Sequence, residues 1–330
     1  MVVIVTVNIR GLKNPAKQHY LYTWLRQNDV DVAGIQETDV HAMSVLDEEY
    51  NVAINHTPFE LGTASVFRKS LGLTKIEMDP GGRVAKATFR DFCVTCVYGY
   101  PHVSYAQQTR KDLFDKTLPT YLVNNGLPSI LFGDFNTVFD LQDRHASNRE
   151  LSFSLRELVR GLQLVDAFRR LHPNAIEFSF MGHRGRSRID HIYVPKELGD
   201  KILECKHVFY AESDHAAVVA RLDMGPATRP SKRKSAFWRM KASSLQNPEL
   251  VEILGNFVES CERKLIKHEL PRVQWWEETV KPGIRKIVRE FDAREASKLK
   301  RHLELLNRQY ERAKKRLSEG TSHGEPSFLN

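Results

Sequence analysis

Short apolar segments, each next to acidic or amide side chains, recur along the first two thirds of the chain. The polar residues at the segment ends are Asn8, Glu37, Asp134, Asn136, Asp190, Asp214 and His215. Strands that end at one rim of a sheet bring such side chains together, and ligand sites form in the crevice at that rim. The pattern therefore predicts a sheet-based fold with one polar site.

The spacing of apolar residues predicts many strands and few helices over about 220 residues. The predicted strands cover 2–8, 30–36, 52–55, 64–67, 73–78, 84–90, 92–98, 130–133, 189–194 and 216–222. Helices are predicted from Pro15, over 107–124 and over 152–162. This mixture favours an α/β fold in which packed sheets form the inside and helices cover the outside.

Charge and composition divide the chain into two regions. The net charge is +8, but residues 227–330 contain 23 Lys and Arg against 14 Asp and Glu. The preceding 226 residues contain 26 against 27, so the basic excess lies entirely in the tail. Such an asymmetry indicates that the second region favours polyanionic partners.

The predicted domain boundaries follow the glycine, proline and charge pattern. A nuclease-type domain is predicted at 1–224, a basic linker at 225–234, a mostly helical extension at 235–319 and a disordered tail at 320–330. In the extension, one helix begins at Asn247-Pro248 and a long charged helix runs from Pro282 to about Ser318.

The composition argues against membrane, secreted and disulfide-based classes of protein. No apolar run approaches the roughly 18 residues of a membrane span. The N-terminal apolar segment lacks a basic lead-in and is predicted to be a strand, not a signal peptide. Cys93 and Cys96 lie three apart on a predicted strand and face opposite ways, so they are predicted to be small core residues. We expect a soluble nuclear or cytoplasmic protein that is not secreted.

A cluster of carboxylate and amide oxygens needs a positive charge to neutralise it. Mg²⁺ prefers carboxylates, amides and water as ligands, and such a cluster suits it. Taken singly, each position has an ordinary alternative: Asn8 a turn, Glu37 a surface carboxylate, and Asp190 an ion pair with Arg188. The ordered set, and above all Gly133-Asp134-Phe135-Asn136, favours a functional site.

Five segments in order resemble the endonuclease/exonuclease/phosphatase superfamily. They are Val7-Asn8-Ile9-Arg10-Gly11-Leu12, Gln36-Glu37-Thr38, Gly133-Asp134-Phe135-Asn136, Ser187-Arg188-Ile189-Asp190-His191-Ile192 and Ser213-Asp214-His215. The fourth segment, and Asp143-Arg144 after the third, resemble the apurinic-type endonuclease domain of LINE-like non-LTR retrotransposons. The tail, with Phe237-Trp238 and Trp275-Trp276, is similar to the segment that these elements place before reverse transcriptase. The resemblance implies a DNase I-like four-layer α/β sandwich with two packed sheets flanked by helices, followed by a mostly helical tail.

The resemblance also implies roles for individual residues. Its metal residues correspond to Glu37, Asp214, Asn8, Asp134, Asn136 and His215, with Mg²⁺ as the cofactor and Mn²⁺ as a substitute. Asp134 would generate the attacking water, His215 would contact the phosphate and assist proton transfer, and Asp190 would hold the imidazole. Asn136 would donate to the phosphorane-like transition state. Tyr98 would bind the phosphate or assist the leaving oxygen, and Tyr100 in Tyr98-Gly99-Tyr100-Pro101 is an alternative for this role.

Basic residues near these segments are candidates for DNA contacts. The loop from His183 to Arg188 carries three arginines, which suit phosphates or a groove. The predicted DNA-binding residues are Arg184, Arg186, Ser187, Arg188 and Arg144. A solvated loop is the alternative for this segment.

The leading hypothesis is a Mg²⁺-dependent DNA endonuclease that produces a 3′-hydroxyl and a 5′-phosphate for retrotransposon integration. An apurinic/apyrimidinic repair endonuclease and a catalytically silent nucleic-acid-binding relic are the alternatives. Duplex DNA is the expected partner, RNA is a further partner that the basic tail would suit, and neither a membrane nor a small-molecule cofactor is expected. Reverse transcriptase chemistry is not expected, because the chain contains no adjacent Asp-Asp pair to hold two metal ions.

Overall fold

The computed structural model describes residues 1–46, 49–57, 60–101, 106–123, 126–145, 152–182, 185–225, 244–245, 247–268 and 275–319. The chain divides into two units, Met1–Lys232 and Arg233–Asn330. Of the predicted linker, only Gly225 lies within the described residues, and the predicted tail at 320–330 lies outside them.

The described residues of the first unit contain strands in two large sheets and one small sheet. The strands are β1 (Val2–Asn8), β2 (Val32–Gln36), β3 (Tyr50–Thr57), β4 (Glu60–Arg68), β5 (Lys75–Met78), β6 (Val84–Thr88), β7 (Cys93–Tyr98), β8 (Ser129–Asp134), β9 (Arg144–His145), β10 (Leu164–Asp166), β11 (Phe180–Gly182), β12 (Gly185–Ser187), β13 (Asp190–Pro195), β14 (Ile202–Val208) and β15 (Ala217–Leu222). The first large sheet has the order β14-β15-β1-β2-β4-β3, and the second has the order β10-β13-β8-β7-β6-β5. The small sheet has the order β11-β12-β9.

Both large sheets are mixed, with one parallel pair at the centre of each. β1 and β2 are parallel, with Asn8 opposite Gln36, and β7 and β8 are parallel, with Tyr98 opposite Asp134. The neighbouring pairs are antiparallel, so β13 starts with Asp190 opposite Asp134. This register brings the polar ends of β1, β7 and β8 and the polar start of β13 to the same end of the two sheets.

The described part of the first unit contains the helices α1 (Pro15–Gln27), α2 (Gln107–Asp112), α3 (Leu118–Leu122), α4 (Phe153–Gly161) and α5 (Ala167–Leu171). The first four lie on the outer faces of the two large sheets, whereas Ala167 and Phe168 of α5 belong to the apolar cluster between the sheets. A π-helical turn at Leu113–Thr117 joins α2 to α3, and short 3-10 segments occur at Ser44–Leu46, Lys69–Leu71, Leu141–Asp143 and Lys196–Lys201.

Three apolar clusters produce the four layers. Between the sheets, Ile4 and Val32 of the first pack with Val94 and Phe132 of the second. A second cluster joins the outer face of the first sheet to α1, and a third joins the outer face of the second sheet to the helices from α2 to α4. Strands whose side chains alternate between two apolar layers are buried on both faces, which explains why β1 is apolar along most of its length. The predicted DNase I-like four-layer fold is confirmed.

Gly133 of β8 lies directly against the backbone of Val97 on the parallel strand β7. Its φ is 148°, and a Cβ atom there would collide with backbone atoms of Val97. Glycine is therefore required immediately before Asp134, because any side chain would separate the two parallel strands. This contact fixes the position from which the Asp134 side chain enters the site.

Most of the predicted elements are present, with bounds that shift by a few residues. The strand predicted at 84–90 ends at Thr88, and the one predicted at 52–55 extends over Tyr50–Thr57. The edge strand β14, the helix α5 and the small sheet were not predicted. Their segments are short or carry polar residues on both faces. The spacing of apolar residues that indicates a strand (every two residues) or a helix (every 3.6 residues) is therefore weak there.

The second unit contains two described helices, α6 (Pro248–His268) and α7 (Lys281–Glu319). Leu250 of α6 and Val288 and Phe291 of α7 form its buried cluster. Gly283 lies against the ring of Phe257, which a Cβ atom would displace. The predicted helical character of this region therefore holds for its described part.

No described helix is long and apolar enough to cross a membrane. Cys93, Cys96, Cys205 and Cys261 are free and buried. Burial raises the pKa of the Cys96 thiol to about 12, with smaller opposing effects from Gln36 and Ser65. The expectation that the cysteines are core residues agrees with this placement.

Candidate active site

The predicted polar residues meet at one end of the two sheets. Asn8 ends β1, Tyr98 ends β7, Asp134 ends β8 and Asp190 begins β13. Glu37 follows β2 directly, and Asp214 and His215 lie just before β15. Asn8, Asp134, Asp190 and His215 are buried, although each is a polar side chain. Buried polar groups persist only where partners compensate for their lost hydration.

Asn8 connects the carboxylates of the two sheets. Its Nδ2 donates to Oε1 of Glu37 at 2.9 Å and to Oδ2 of Asp134 at 3.0 Å. The hydroxyl of Tyr98 donates to the same Oε1 of Glu37 at 3.0 Å. One neutral amide thus bridges the two carboxylates, and a neutral phenol adds a second hydrogen bond to Glu37.

His215 and Asp190 form a buried pair. The Nδ1 of His215 lies 2.9 Å from Oδ2 of Asp190. Burial opposes the charged imidazole, but the charge and hydrogen bond of Asp190 and the charges of Asp134 and Asp214 outweigh it and raise the pKa of His215 to about 9. The imidazole is therefore positively charged at neutral pH, a form that binds phosphate and can donate a proton.

Asp134 is a buried carboxylate beside a second one. Burial raises its pKa above the usual value, and the Asp190 carboxylate adds to this rise. His215, the Asn8 amide and the backbone N–H of Asn136 have the opposite effect. That N–H donates to Oδ1 of Asp134 at 2.8 Å. A carboxylate whose pKa is raised is a stronger base than an exposed one.

The hydroxyl of Tyr98 reaches Glu37, and the choice between Tyr98 and Tyr100 stays a prediction. The Cζ of Arg83 is 4.3 Å from the ring centroid of each tyrosine. Burial and the negative charges of Glu37 and Asp134 raise the pKa of Tyr98 far above its usual value. The phenol therefore stays neutral and acts as a hydrogen-bond donor.

Backbone strain is concentrated around this cluster. Arg10, Glu37, Asp39 and Asn136 have φ between 49° and 54°, which side-chain-bearing residues seldom adopt. The side-chain amide of Asn136 donates to the carbonyl of Gly99 at 2.9 Å, which holds the residue in this conformation. Strained residues of this kind often mark functional sites, because the surrounding structure must compensate for their cost.

The donor set fits a hard divalent cation. Asp134, Asp190 and His215 each offer a ligand atom within 4.8 Å of the others. Oδ1 of Asp190 and Oδ1 of Asp214 are buried and have no hydrogen-bond partner within the described part of the chain. Two carboxylates and an imidazole, with no cysteine among them, form a set that could hold a divalent cation. Glu37 and Asp214, which were predicted as metal ligands, are not members of this set.

One predicted DNA contact needs correction. Arg188 is 1% exposed, and its guanidinium binds both oxygens of Asp143, at 2.9 and 2.8 Å, and Oδ2 of Asp166 at 2.7 Å. A side chain enclosed by two carboxylates cannot reach a DNA phosphate. The arginine therefore stabilises the interior beside the site and does not form part of its surface.

The other predicted DNA-binding residues have different positions. Arg186 and Ser187 lie on β12, paired with His145 and Arg144 of β9. Arg186 and Arg144 are half-buried, and Ser187 is buried. Arg184 lies outside the described residues. Arg186 and Arg144 on the small sheet thus remain predictions for a DNA surface.

Two residues of the site were not singled out from the sequence. The hydroxyl of Ser179 accepts hydrogen bonds from the backbone N–H groups of Ile189 and Asp190, both at 3.0 Å, and its carbonyl accepts from Ala216. Ser179 thereby ties the segment of Asp190 to that of His215. Arg10 donates to Oδ2 of Asp214 at 2.9 Å. No local sequence pattern indicates contacts over such separations.

Comparison with known proteins identifies the family. Residues 5–215 match the model of the endonuclease/exonuclease/phosphatase family. The chain belongs to this family. The matched residues extend from β1 to His215 and so include every polar residue of the rim described above.

Relatives of known sequence are distant. The chain is 26% identical over 335 residues to an uncharacterized 149 kDa protein of transposon TX1 from Xenopus laevis, which covers 96% of this chain and 25% of the relative. The chain therefore spans about a quarter of that protein's length. It is also 27% identical to an exodeoxyribonuclease of Bacillus subtilis, covering 60% of this chain and 90% of the relative. A DNA repair nuclease APEX1 of Danio rerio is 26% identical, covering 56% and 68% respectively.

Solved structures share the fold of the family. An AP endonuclease from Archaeoglobus fulgidus superposes with a TM-score of 0.59 at 20% identity, covering 68% of this chain and all of that one. A 3′ phosphatase from Neisseria, bound to a product DNA hairpin, gives a TM-score of 0.58 at 21% identity, again covering 68% and 100%.

Proposed function

We propose that the chain is a divalent-metal-dependent endonuclease that cuts one strand of duplex DNA and leaves a 3′-hydroxyl and a 5′-phosphate. The observation that carries the proposal is the buried His215–Asp190 pair beside Asp134, with Asn8 linking Asp134 to Glu37. This arrangement supplies a base, a charged phosphate ligand and an oxygen-rich cation site within one rim. Membership of the nuclease family supports it.

Glu37 and Asp214 would hold Mg²⁺, with Asn8 and Asp134 beside them. When bound, such an ion supplies positive charge that stabilises the negative charge building up on the phosphate during in-line attack. Both carboxylates end at the rim, and Asp214 offers a buried oxygen with no partner among the described residues. Without a cation the carboxylates of the rim would repel a phosphate. With a cation bound, the rim can accept an anionic substrate.

The protein's own residues would carry the proton transfers. Asp134 accepts a proton from the attacking water, whose oxygen forms the new bond to phosphorus while the bond to O3′ breaks. Protonated His215 contacts a non-bridging phosphate oxygen and assists proton transfer, and Asp190 keeps its ring oriented through Nδ1. Asn136 donates to the transition state. The neutral phenol of Tyr98 is a donor to the phosphate or to the leaving oxygen.

A plasmid-relaxation assay tests the activity. The full chain with Mg²⁺ should convert supercoiled plasmid to open circles, and EDTA should prevent this. Asp134→Ala and His215→Ala should abolish nicking while circular dichroism remains that of the wild type. Full nicking by both variants would refute the site assignment. A chain that binds DNA in Mg²⁺ but never nicks it would be a silent binding protein, an outcome that the presence of every catalytic position argues against.

Integration of a retrotransposon is the biological role we propose for the nick. The similarity to a transposon protein over 96% of this chain supports it, because the similarity includes the second unit as well as the nuclease fold. A 3′-hydroxyl at the nick could prime reverse transcription. Extension of the nicked strand by an added polymerase tests the end chemistry: extension is expected, and a 3′-phosphate would block it and contradict the proposal.

Cleavage at abasic sites is the second candidate, supported by the similarity to the Danio rerio repair nuclease. A duplex with one abasic analogue, compared with the same duplex intact, separates the two functions. Strong preference for the abasic duplex would favour repair. Comparable cutting of both would favour target nicking.

The second unit is proposed to bind nucleic acid, including RNA. Exposed basic side chains of α7 support this: Lys298, Lys300, Arg301, Arg308 and Arg312. Phosphate binding by such residues weakens steeply with salt. Band shifts of single-stranded RNA by the full chain at rising salt test it, and an affinity that does not change with salt would contradict it.

A further inference from the structure

Arg10 is a cation placed by the backbone at the edge of the acidic cluster. Its φ is 53°, and its backbone N–H donates to Oδ1 of Asn8 at 3.2 Å. The flanking residues are held to the segment after β2, because Ile9 N–H donates to the carbonyl of Gln36 and Gly11 N–H to that of Glu37. The side chain leaves this fixed loop and remains 60% exposed.

The guanidinium of Arg10 gives the two oxygens of Asp214 different environments. Nη1 donates to Oδ2 at 2.9 Å. Oδ1 of the same carboxylate is buried and has no hydrogen-bond partner among the residues that the structure describes. Oδ2 of Asp214 is thus bonded to Arg10, and Oδ1 remains available to a metal ion.

The bond between Arg10 and Asp214 matters because the cluster around it is rich in carboxylates. Glu37, Asp134, Asp190 and Asp214 bring four carboxylates to the rim, and Asn8 and Tyr98 are neutral donors to them. His215, bonded to Asp190, and the nearby Lys17 offset part of this negative charge. The Asp214 oxygen that accepts from arginine is the weaker ligand for a metal ion, because one of its lone pairs is engaged, so Oδ1 is the oxygen best placed to bind one. A second dication at Asp214 would also lie close to the guanidinium and be repelled by it.

We propose that Arg10 takes the place of a second divalent cation, so that the site holds one metal ion with Asp214 as a single-oxygen ligand. The inference rests on the proposed function, since it concerns the cation of that same site. Arg10 is a positioning residue in this role, because it acts through Asp214 and not on the substrate. In this proposal Arg10 determines how many metal ions the site binds.

Counting of bound Mn²⁺ tests the inference. Electron paramagnetic resonance on the full chain without DNA distinguishes free from bound Mn²⁺ and detects the broadening that two nearby ions cause. Wild type should bind one ion per chain, and Arg10→Met should bind two. Arg10→Lys, which keeps the charge, should bind one. Asp214→Asn added to Arg10→Met should return the count to one.

A matched control is available in the same loop. Lys13 is 74% exposed and pairs with Asp39 at 2.7 Å, so Lys13→Met removes a neighbouring positive charge without touching Asp214. It should leave the count at one. The Arg10 variants should fold, since the side chain is mostly exposed and methionine keeps the same backbone requirement. Thermal melting by circular dichroism checks this.

The outcomes separate this inference from the proposed function. One bound Mn²⁺ in both wild type and Arg10→Met, or two in both, would overturn the role of Arg10 even if the plasmid is nicked. One ion in wild type and two in Arg10→Met would support the role of Arg10, and absence of nicking would then refute only the proposed function. Wild type that binds no Mn²⁺ would overturn this inference, and loss of nicking with EDTA would still test the function independently.

Discussion

Oδ2 of Asp190 accepts its hydrogen bond from Nδ1 of His215 across 25 residues of sequence, and both side chains are buried. The two residues belong to different large sheets, one at the start of β13 and the other just before β15. The bond therefore depends on how the sheets pack, and it orients the imidazole ring of His215.

Asp190→Asn should lower the nicking rate by about 10²–10⁴-fold, the usual contribution of a positioned acid–base group. Asparagine has nearly the same size, but its neutral amide removes the charge that keeps the imidazole protonated and oriented. Rates are measured by plasmid relaxation in Mg²⁺. Asp223→Asn is the control, because Asp223 is exposed and its carboxylate accepts from the Gly225 N–H at 3.1 Å. Equal rates for Asp190→Asn and wild type would contradict the assigned role.

The positions of the site residues could be anticipated because they follow from strand ends. Asn8, Asp134 and Asp190 stand directly at the limits of apolar segments, and strands of a layered fold must end at its rims. The roles of these residues remain predictions until the variants are assayed. Their convergence at one rim is what the structure adds.

Other features of the site depend on contacts that no local pattern contains. The Arg10–Asp214 bond joins residues 204 positions apart, and Ser179 acts through one hydroxyl between two backbone N–H groups. Arg188 was expected at the surface because it follows an arginine-rich loop. It is buried because two carboxylates, Asp143 and Asp166, compensate for its desolvation. Whether an arginine is exposed is decided by partners distant in sequence.

Asn8→Ala should destabilise the fold by about 1–3 kcal/mol, the cost of leaving buried polar groups without a partner. Both Glu37 and Asp134 lose a donor, and their negative charges lose the amide between them. The free energy of unfolding is measured by urea titration in EDTA. Asn28→Ala is the comparison, since the Asn28 side chain donates to the carbonyl of Trp24 at the end of α1, away from the acidic cluster. Only Asn8→Ala should also reduce nicking; loss of nicking in both would indicate a general effect on folding.

Arg188→Met should destabilise the protein by about 3–5 kcal/mol at pH 7, because two buried carboxylates lose their main counter-charge. Burial opposes the charged form of Asp143 and Asp166, but Arg188 and His191 hold the pKa of both carboxyls below the usual range. Arg170→Met is the control, since this exposed arginine pairs with exposed Asp200 and should cost at most about 1 kcal/mol.

The same arginine makes the stability dependent on pH in a defined direction. A carboxyl whose pKa is lower in the folded state stabilises the fold above its unfolded pKa, which is about 3.9, and loses that contribution as the pH falls towards the folded value. Wild type should therefore lose stability below about pH 4. Arg188→Met should instead gain stability as Asp143 and Asp166 take up protons. Urea titrations between pH 7 and pH 4 should show the gap between the two proteins narrowing; a gap that widens would contradict this account.

Tyr98→Phe should reduce nicking by about 10–100-fold, whereas Tyr100→Phe should change it by less than about threefold, because one hydrogen bond to a charged group is worth roughly 1.5–3 kcal/mol. The Tyr98 hydroxyl donates to Oε1 of Glu37 at 3.0 Å, and the guanidinium of Arg83 lies 4.3 Å from the ring centroid of each tyrosine. Phenylalanine keeps the ring that packs on Arg83 in each case, so the two substitutions differ only in which hydroxyl is removed. Plasmid relaxation measures both rates, and thermal melting checks that the folds are equally stable. If Tyr100→Phe produced the larger loss, the phosphate-binding tyrosine would be Tyr100, and the hydrogen bond from Tyr98 to Glu37 would serve only to hold that carboxylate.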